Sequence, residues 1–306
     1  MKKKYFDIPL YVMLIPFAVY LIGIIFGSFF DWNISVAIAD VDSPFGNAME
    51  TVGYMICYAI IPIGGILTCL GLIKRKNNWI KALGVFIYAL SLGIMIYMLG
   101  NALSPDEHGY GVTMAPALAY TVAAALGILA SLLFYFIVDR NNQGMLLRLG
   151  LIILAAIILE VLFINVTKYL NCRPRFRYLT SDYNTTGEVF RQWWDFKPFQ
   201  FNDDFHKSWP SGHTAFSGHL MLLSFVTPLY IRHNKATAPI LFALAFCFNI
   251  TVGISRILCG AHFLSDISFG GLFSWTITVI LILIGNRFFH PENKKVNALT
   301  NELETC

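Results

Sequence analysis

Charge is scarce in this 306-residue chain: Asp, Glu, Lys and Arg make up only 13% of it, against about 25% in soluble domains. With 57% apolar residues and a mean hydropathy of +0.62, a soluble globular fold is excluded. The six cysteines, at 57, 69, 172, 247, 259 and 306, show neither CxxC spacing nor a metal-ligand pattern, which argues against a zinc site or a thiol redox motif. A disulfide between Cys172 and Cys259 is conceivable, since both fall on one side of the membrane. There is no glycine-rich nucleotide loop, no internal repeat, no low-complexity tract and no polar stretch long enough for a soluble domain. Nothing points to nucleic acid, to a cofactor or to a bound metal. The opening Met1-Lys2-Lys3-Lys4 before an apolar run resembles a signal peptide, but the run is too long and has no small-residue cleavage site, so no cleavage is expected. It reads as a retained first span.

What is present is a series of apolar runs, at 9–30, 52–73, 82–101, 114–138, 145–167, 214–231, 236–254 and 262–284. Each is near the roughly 20 residues that cross a hydrocarbon core of about 30 Å as a helix. The expected fold is therefore an all-α integral membrane protein of about eight transmembrane helices. Basic residues such as Lys74, Arg75, Lys76, Lys81, Arg140, Arg148, Arg232, Lys235, Arg287, Lys294 and Lys295 fall on one side with Lys2 to Lys4. By the positive-inside rule both termini are then cytoplasmic, in a multi-pass protein of the cell membrane. The opposite loops 31–51 and 103–113 contain no basic residue and carry Asp31, Asp40, Asp42, Glu50, Asp106 and Glu107 instead.

The exceptions to that rule are informative. Lys168, Arg173, Arg175, Arg177, Arg191, Lys197, Lys207 and Arg256 all lie in the two outer loops flanking Pro210 to His213. Arg191, Lys197 and Lys207 are the residues a long outer loop tolerates freely. Lys168, Arg175 and Arg256 sit at or near span ends, where a cation implies a task.

Trp209-Pro210-Ser211-Gly212-His213-Thr214 stands where an aromatic, polar segment gives way to an apolar run, at the mouth of an expected helix. The first N–H groups of a helix lack internal partners and carry the positive end of its dipole, so Ser211 and Gly212 form an anion cradle. His213 beside that cradle is a proton donor for a departing alkoxide. Farther on, His262 and Asp266 are four residues apart, which places them on one face if the last span begins at His262. Asp266 would then fix the tautomer of His262. Glu160 lies among leucines and isoleucines and needs a partner, either the polar cluster or another helix. His219 is off the face of His213, and His206 belongs to the outer segment. The aromatics Trp193, Trp194, Phe196, Phe199, Phe201, Phe205 and Trp209 suit a cap along the headgroup layer or an ordinary interfacial belt.

Three segments together resemble the signature of the type 2 phosphatidic acid phosphatase family, whose site is shared with vanadium haloperoxidases. They are Lys168, six residues and Arg175; then Pro210-Ser211-Gly212-His213; then Ser255-Arg256, five residues, His262, three residues and Asp266. Phe176 stands where that family usually has proline, and aligning on Arg173-Pro174 keeps the proline but breaks the spacing. Arg173 is thus the second choice to Arg175. The resemblance implies that His262 is the nucleophile that forms a phosphohistidine and that Asp266 orients it. It implies too that His213 protonates the leaving oxygen and then activates water. Lys168, Arg175, Arg256, Ser211 and Gly212 would hold the phosphoryl oxygens, with no metal.

The expected organisation is a scaffold of about four spans in 1–144, a catalytic core of the last four spans in 145–290 with an outer cap at 176–209, and a cytoplasmic tail at 291–306. The expected activity is metal-independent hydrolysis of a membrane lipid phosphate (phosphatidate, phosphatidylglycerophosphate or a polyprenyl pyrophosphate) at the outer face. The same site would also serve a phosphotransferase or a sugar-phosphate phosphatase. A lipid-binding or transport protein without catalysis is the third class.

Overall fold

The computed structural model describes residues 8–104, 113–182, 184–185, 187–200, 203–230, 234 and 236–288. The expectations resting on Lys2 to Lys4, Asp106, Glu107, Phe201, Arg232, Lys235 and the tail 291–306 lie outside the described residues, as does the side chain of Arg287. Among the described residues the chain is helical, with one isolated bridge between Val138 and Tyr230 and no strand.

The first crossing is α1, Leu10–Ile38. The second, expected as one run, is two pieces, α2 Pro44–Tyr58 and α3 Ile60–Leu72. Pro62 explains the break at Ala59, because it has no N–H to donate and its ring crowds the carbonyl four residues back. At the start of α2 the Ser43 hydroxyl accepts from Gly46 N–H at 3.3 Å, with Pro44 in the first helical position. Then follow α4, Asn78–Leu103, and α5, Pro116–Ile137. The 29-residue α6, Gln143–Asn171, opens on Asn142, whose side chain accepts from Met145 N–H at 3.2 Å. The last two long helices are α9, Thr237–Leu258, and α10, Leu264–Phe288.

Among the described residues seven helical stretches are long and apolar enough to cross a membrane, and the run expected at 214–231 is built differently. It consists of α8, Gly212–Gly218, continued by a 3₁₀ segment, His219–Leu229. Short α7, Phe176–Leu179, precedes it in the loop after α6. Three hydroxyls bond back to carbonyls three residues earlier: Ser217 to Thr214 at 3.2 Å, Ser224 to Met221 at 2.6 Å and Thr227 to Ser224 at 2.8 Å. Pro228 removes a further donor. Side chains competing in this way favour the tighter turn. At about 1.5 Å per residue in α8 and 2.0 Å in the 3₁₀ part, the segment extends roughly 32 Å, which is a membrane thickness. Its far end meets the basic end of the bundle, where Asp139 N–H donates to Leu229 O at 2.6 Å and Lys74 Nζ to Arg140 O at 3.4 Å.

Helices approach closely where glycine permits. A Cβ on Gly71 would lie 2.5 Å from Leu147 N, and one on Gly150 would lie 2.5 Å from Thr68 N. Small residues thus let α3 lie against α6, as membrane helices that lack a solvent-driven attraction require. Around this pair pack α4 and α5, while α1 lies along α10 and α2 against α8 and α9.

Candidate active site

One end of the bundle is drawn together by backbone bonds between distant segments. Asp40 N–H donates to Leu258 O at 2.7 Å, Arg177 N–H to Gly260 O at 2.8 Å and Ser211 N–H to Asp266 O at 3.0 Å. These ties bring the loop after α6, the mouth of α8 and the turn between α9 and α10 to one place.

His262 is not on a helix. Helix α10 begins two residues later, so the expected shared face with Asp266 does not form, and Asp266 Oδ2 lies 3.8 Å from His262 Nδ1. That distance is an ionic contact, beyond hydrogen-bond reach. The carboxylate is committed elsewhere. Its Oδ2 accepts from Phe263 N–H at 2.9 Å, closing the first turn of α10, and from Ser208 Oγ at 2.5 Å. Its Oδ1 accepts from Arg173 Nη1 at 2.5 Å. His262 Nδ1 is instead 2.6 Å from the carbonyl of Ser208. A carbonyl cannot donate, so Nδ1 carries the proton and Nε2 keeps its lone pair. Ser208 therefore links the two, holding the imidazole with its carbonyl and the carboxylate with its hydroxyl. Burial pulls the His262 imidazole down to about 4; Asp266 opposes that pull, and Arg175 and Lys168 reinforce it.

His213 is buried on α8. Its Nε2 lies 3.3 Å from Arg256 Nη1, and the Tyr54 ring of α2 covers it at a centroid distance of 3.7 Å. A guanidinium has only donors, so Nε2 faces it as an acceptor. Arg256, His262, Lys168 and Arg175 all lie within electrostatic reach of this imidazole. Ser211 caps α8, its hydroxyl accepting from Thr214 N–H at 3.4 Å and from Thr214 Oγ1 at 3.1 Å. A Cβ on Gly212 would stand 3.9 Å from Lys168 Nζ, which puts that ammonium at the same mouth.

The two candidate arginines differ in their commitments. Arg173 is wholly buried, donating to Asp31 Oδ2 at 2.9 Å, Asp266 Oδ1 at 2.5 Å, Ser265 Oγ at 2.9 Å and Arg191 O at 2.8 Å. Its guanidinium also lies 4.2 Å from the Phe263 ring centroid. Arg175 pairs at 2.7 Å with Asp204 of the loop before α8. Burial pushes the Asp204 carboxyl up, but Arg175, Lys168 and Arg177 outweigh it and hold it below the usual carboxylate range.

Several of these partners carry no mark in the sequence. Asp31 and Glu50 lie in the first two crossings, and Glu50 Oε2 is 3.3 Å from Arg256 Nη2 and 3.6 Å from Arg177 Nη1. Their only signal was an acidic side chain at a span end. Glu160 pairs across helices with His219 at 2.5 Å, both fully buried, and so takes another helix as its partner. The cap is fastened to the bundle: Trp193 donates to Ser28 Oγ at 3.0 Å, and Trp193 and Trp209 pack on Phe269 at 4.6 and 5.2 Å. Phe199 and Trp194 remain exposed. Cys172 and Cys259 are buried thiols not joined in the disulfide that was conceivable, and Cys259 Sγ is 2.6 Å from Arg256 Nη2.

Residues 148–289 match the family model described as the PAP2 superfamily. No curated protein and no solved structure matches the chain.

Proposed function

Residues 148–289 belong to the PAP2 superfamily, a family of phosphatases acting on phosphate esters, and from that premise we propose that the substrate is the phosphate of a membrane lipid, hydrolysed without metal through a phosphohistidine. The observation that carries this reading is the tautomer of His262. With Nδ1–H spent on the Ser208 carbonyl, a neutral Nε2 is left as the nucleophile among fixed cations.

In the first step Nε2 of His262 attacks phosphorus as the ester P–O bond breaks, and His213 gives a proton to the leaving oxygen. In the second a water oxygen attacks phosphorus, the P–N bond breaks, and His213 takes the water's proton. The incoming phosphate brings the negative charge that favours the imidazolium form of His213. Lys168, Arg175 and Arg256, with Ser211 and Gly212 at the mouth of α8, neutralise the spread charge of the phosphoryl group. Asp266 acts at one remove, through Ser208. Arg175 is preferred to Arg173 as a phosphate ligand because Arg173 already serves two carboxylates. Seven helical stretches among the described residues are long and apolar enough to cross a bilayer, which supports a lipid that keeps its chains in the membrane and presents its head group at the site.

The test is a phosphate-release panel of phosphatidate, phosphatidylglycerophosphate and polyprenyl pyrophosphate, with the full chain in detergent micelles and chelator present. Wild type is expected to release phosphate bearing oxygen from labelled water, and His262→Ala to release none. Turnover retained by His262→Ala refutes the nucleophile. Activity lost on chelation refutes the metal-free step, and phosphate passed to another alcohol without labelled oxygen identifies a phosphotransferase.

A further inference from the structure

Helix α2 lies outside the matched segment, yet two of its side chains, one turn apart, reach the acid–base histidine or the guanidinium beside it. Residues four apart share a helical face, and Tyr54 touches the His213 ring directly while Glu50 touches the guanidinium beside it. We propose that Glu50 is a positioning residue for His213, acting through Arg256; the assignment rests on the reading of His213 as the acid–base group.

The geometry is specific. Arg256 is fully buried, and its Nη2 is held by Glu50 Oε2 at 3.3 Å, Gly46 O at 3.2 Å and Cys259 Sγ at 2.6 Å. Two of these three partners come from α2. Fixing one end of a planar fork fixes the other, which is why Nη1 points at His213 Nε2. Glu50 also lies 3.6 Å from Arg177 Nη1, so one carboxylate offsets two buried guanidiniums. The groups that face His213 are then Arg256 from α9, Tyr54 from α2, Lys168 from α6, Arg175 from the loop after it and His262 from the turn before α10. Three of these, Arg256, Lys168 and Arg175, are cations, and Glu50 is the carboxylate set against them on the α2 side. Without Glu50 the positive charge of Arg256 and Arg177 beside His213 is no longer offset, and its imidazolium is disfavoured. Phosphate binding is not weakened, because the cluster becomes more positive. Proton donation is weakened.

The experiment uses the full chain in micelles, with Glu50→Gln, which keeps the shape, and Glu50→Asp, which keeps the charge. Glu50→Gln should lower kcat about tenfold with KM changed less than twofold. Its alkaline limb, set by His213, should move down by about one pH unit. Glu50→Asp should return the limb most of the way. A nitrogen NMR titration of His213, assigned with His213→Gln, should show the same displacement without relying on turnover. A fall in kcat with an unmoved limb and an unmoved NMR midpoint overturns the proposal and leaves Glu50 a structural residue. Should wild type release no phosphate from any ester, the proposed function fails, and the NMR midpoint alone decides the role of Glu50.

Discussion

Acidification tests the state of His262. The imidazole sits at about 4 when folded and near 6.5 when unfolded, because burial in the folded site disfavours its charge. Between those two values the unfolded chain binds more protons than the folded one, so stability rises with pH through this window and is lost as pH falls through it. The gap of about 2.5 pH units corresponds to about 3 kcal/mol at its full extent, and about 2.5 kcal/mol of that is already lost at pH 4.5. The perturbation is a change from pH 7.5 to 4.5, applied to wild type and to His262→Asn, whose amide can still donate to the Ser208 carbonyl but does not titrate. Intrinsic tryptophan fluorescence follows melting in micelles. Wild type should lose about 2.5 kcal/mol more than the variant over this range, while differing little from it above pH 7. Parallel losses in the two proteins would refute the reasoning, since they would mean that His262 protonates as easily in the folded site as in the unfolded chain.

Two other perturbations address packing. Gly270→Ala would place a Cβ 2.4 Å from the Ser211 carbonyl, so it should cost about 1 to 3 kcal/mol and lower phosphate release by displacing the mouth of α8. Gly93→Ala meets nothing within 4 Å and should raise stability by up to about 1 kcal/mol in the same melting assay; equal effects at the two positions would contradict the packing. Glu160→Ala leaves His219 buried without its partner and should cost about 3 to 5 kcal/mol, whereas Glu160→Leu combined with His219→Leu should recover most of it. A double variant no more stable than the single one would show that the pair is not the source of the loss.

Span positions were legible because length and apolarity suffice to mark a crossing, and seven long helical stretches appear where runs were expected. The details that failed were matters of local backbone competition. Pro62 splits the second run, and hydroxyls that bond back tighten the run expected at 214–231. At the site, spacing brought the motif residues together in sequence terms but misjudged the start of α10, which moved Asp266 from His262 to Ser208 and Arg173. Pairings across the bundle were invisible. Asp31 reaches Arg173 and Glu50 reaches Arg256 over separations of 142 and 206 residues, and no periodicity within one segment announces such a contact. For the same reason Glu160 had no visible partner, although His219 was in plain view.

The enclosure of Arg173 bears on how the chain is made. Asp31 is synthesised 142 residues before the guanidinium that neutralises it, and Ser265, whose N–H and hydroxyl also bond Asp31, comes 234 residues after it. During insertion that carboxylate has to stay protonated or at the aqueous surface until Arg173 arrives. Its remaining partners come only with α10, so a chain truncated before α10 would leave Asp31 without Ser265 and Arg173 without Asp266.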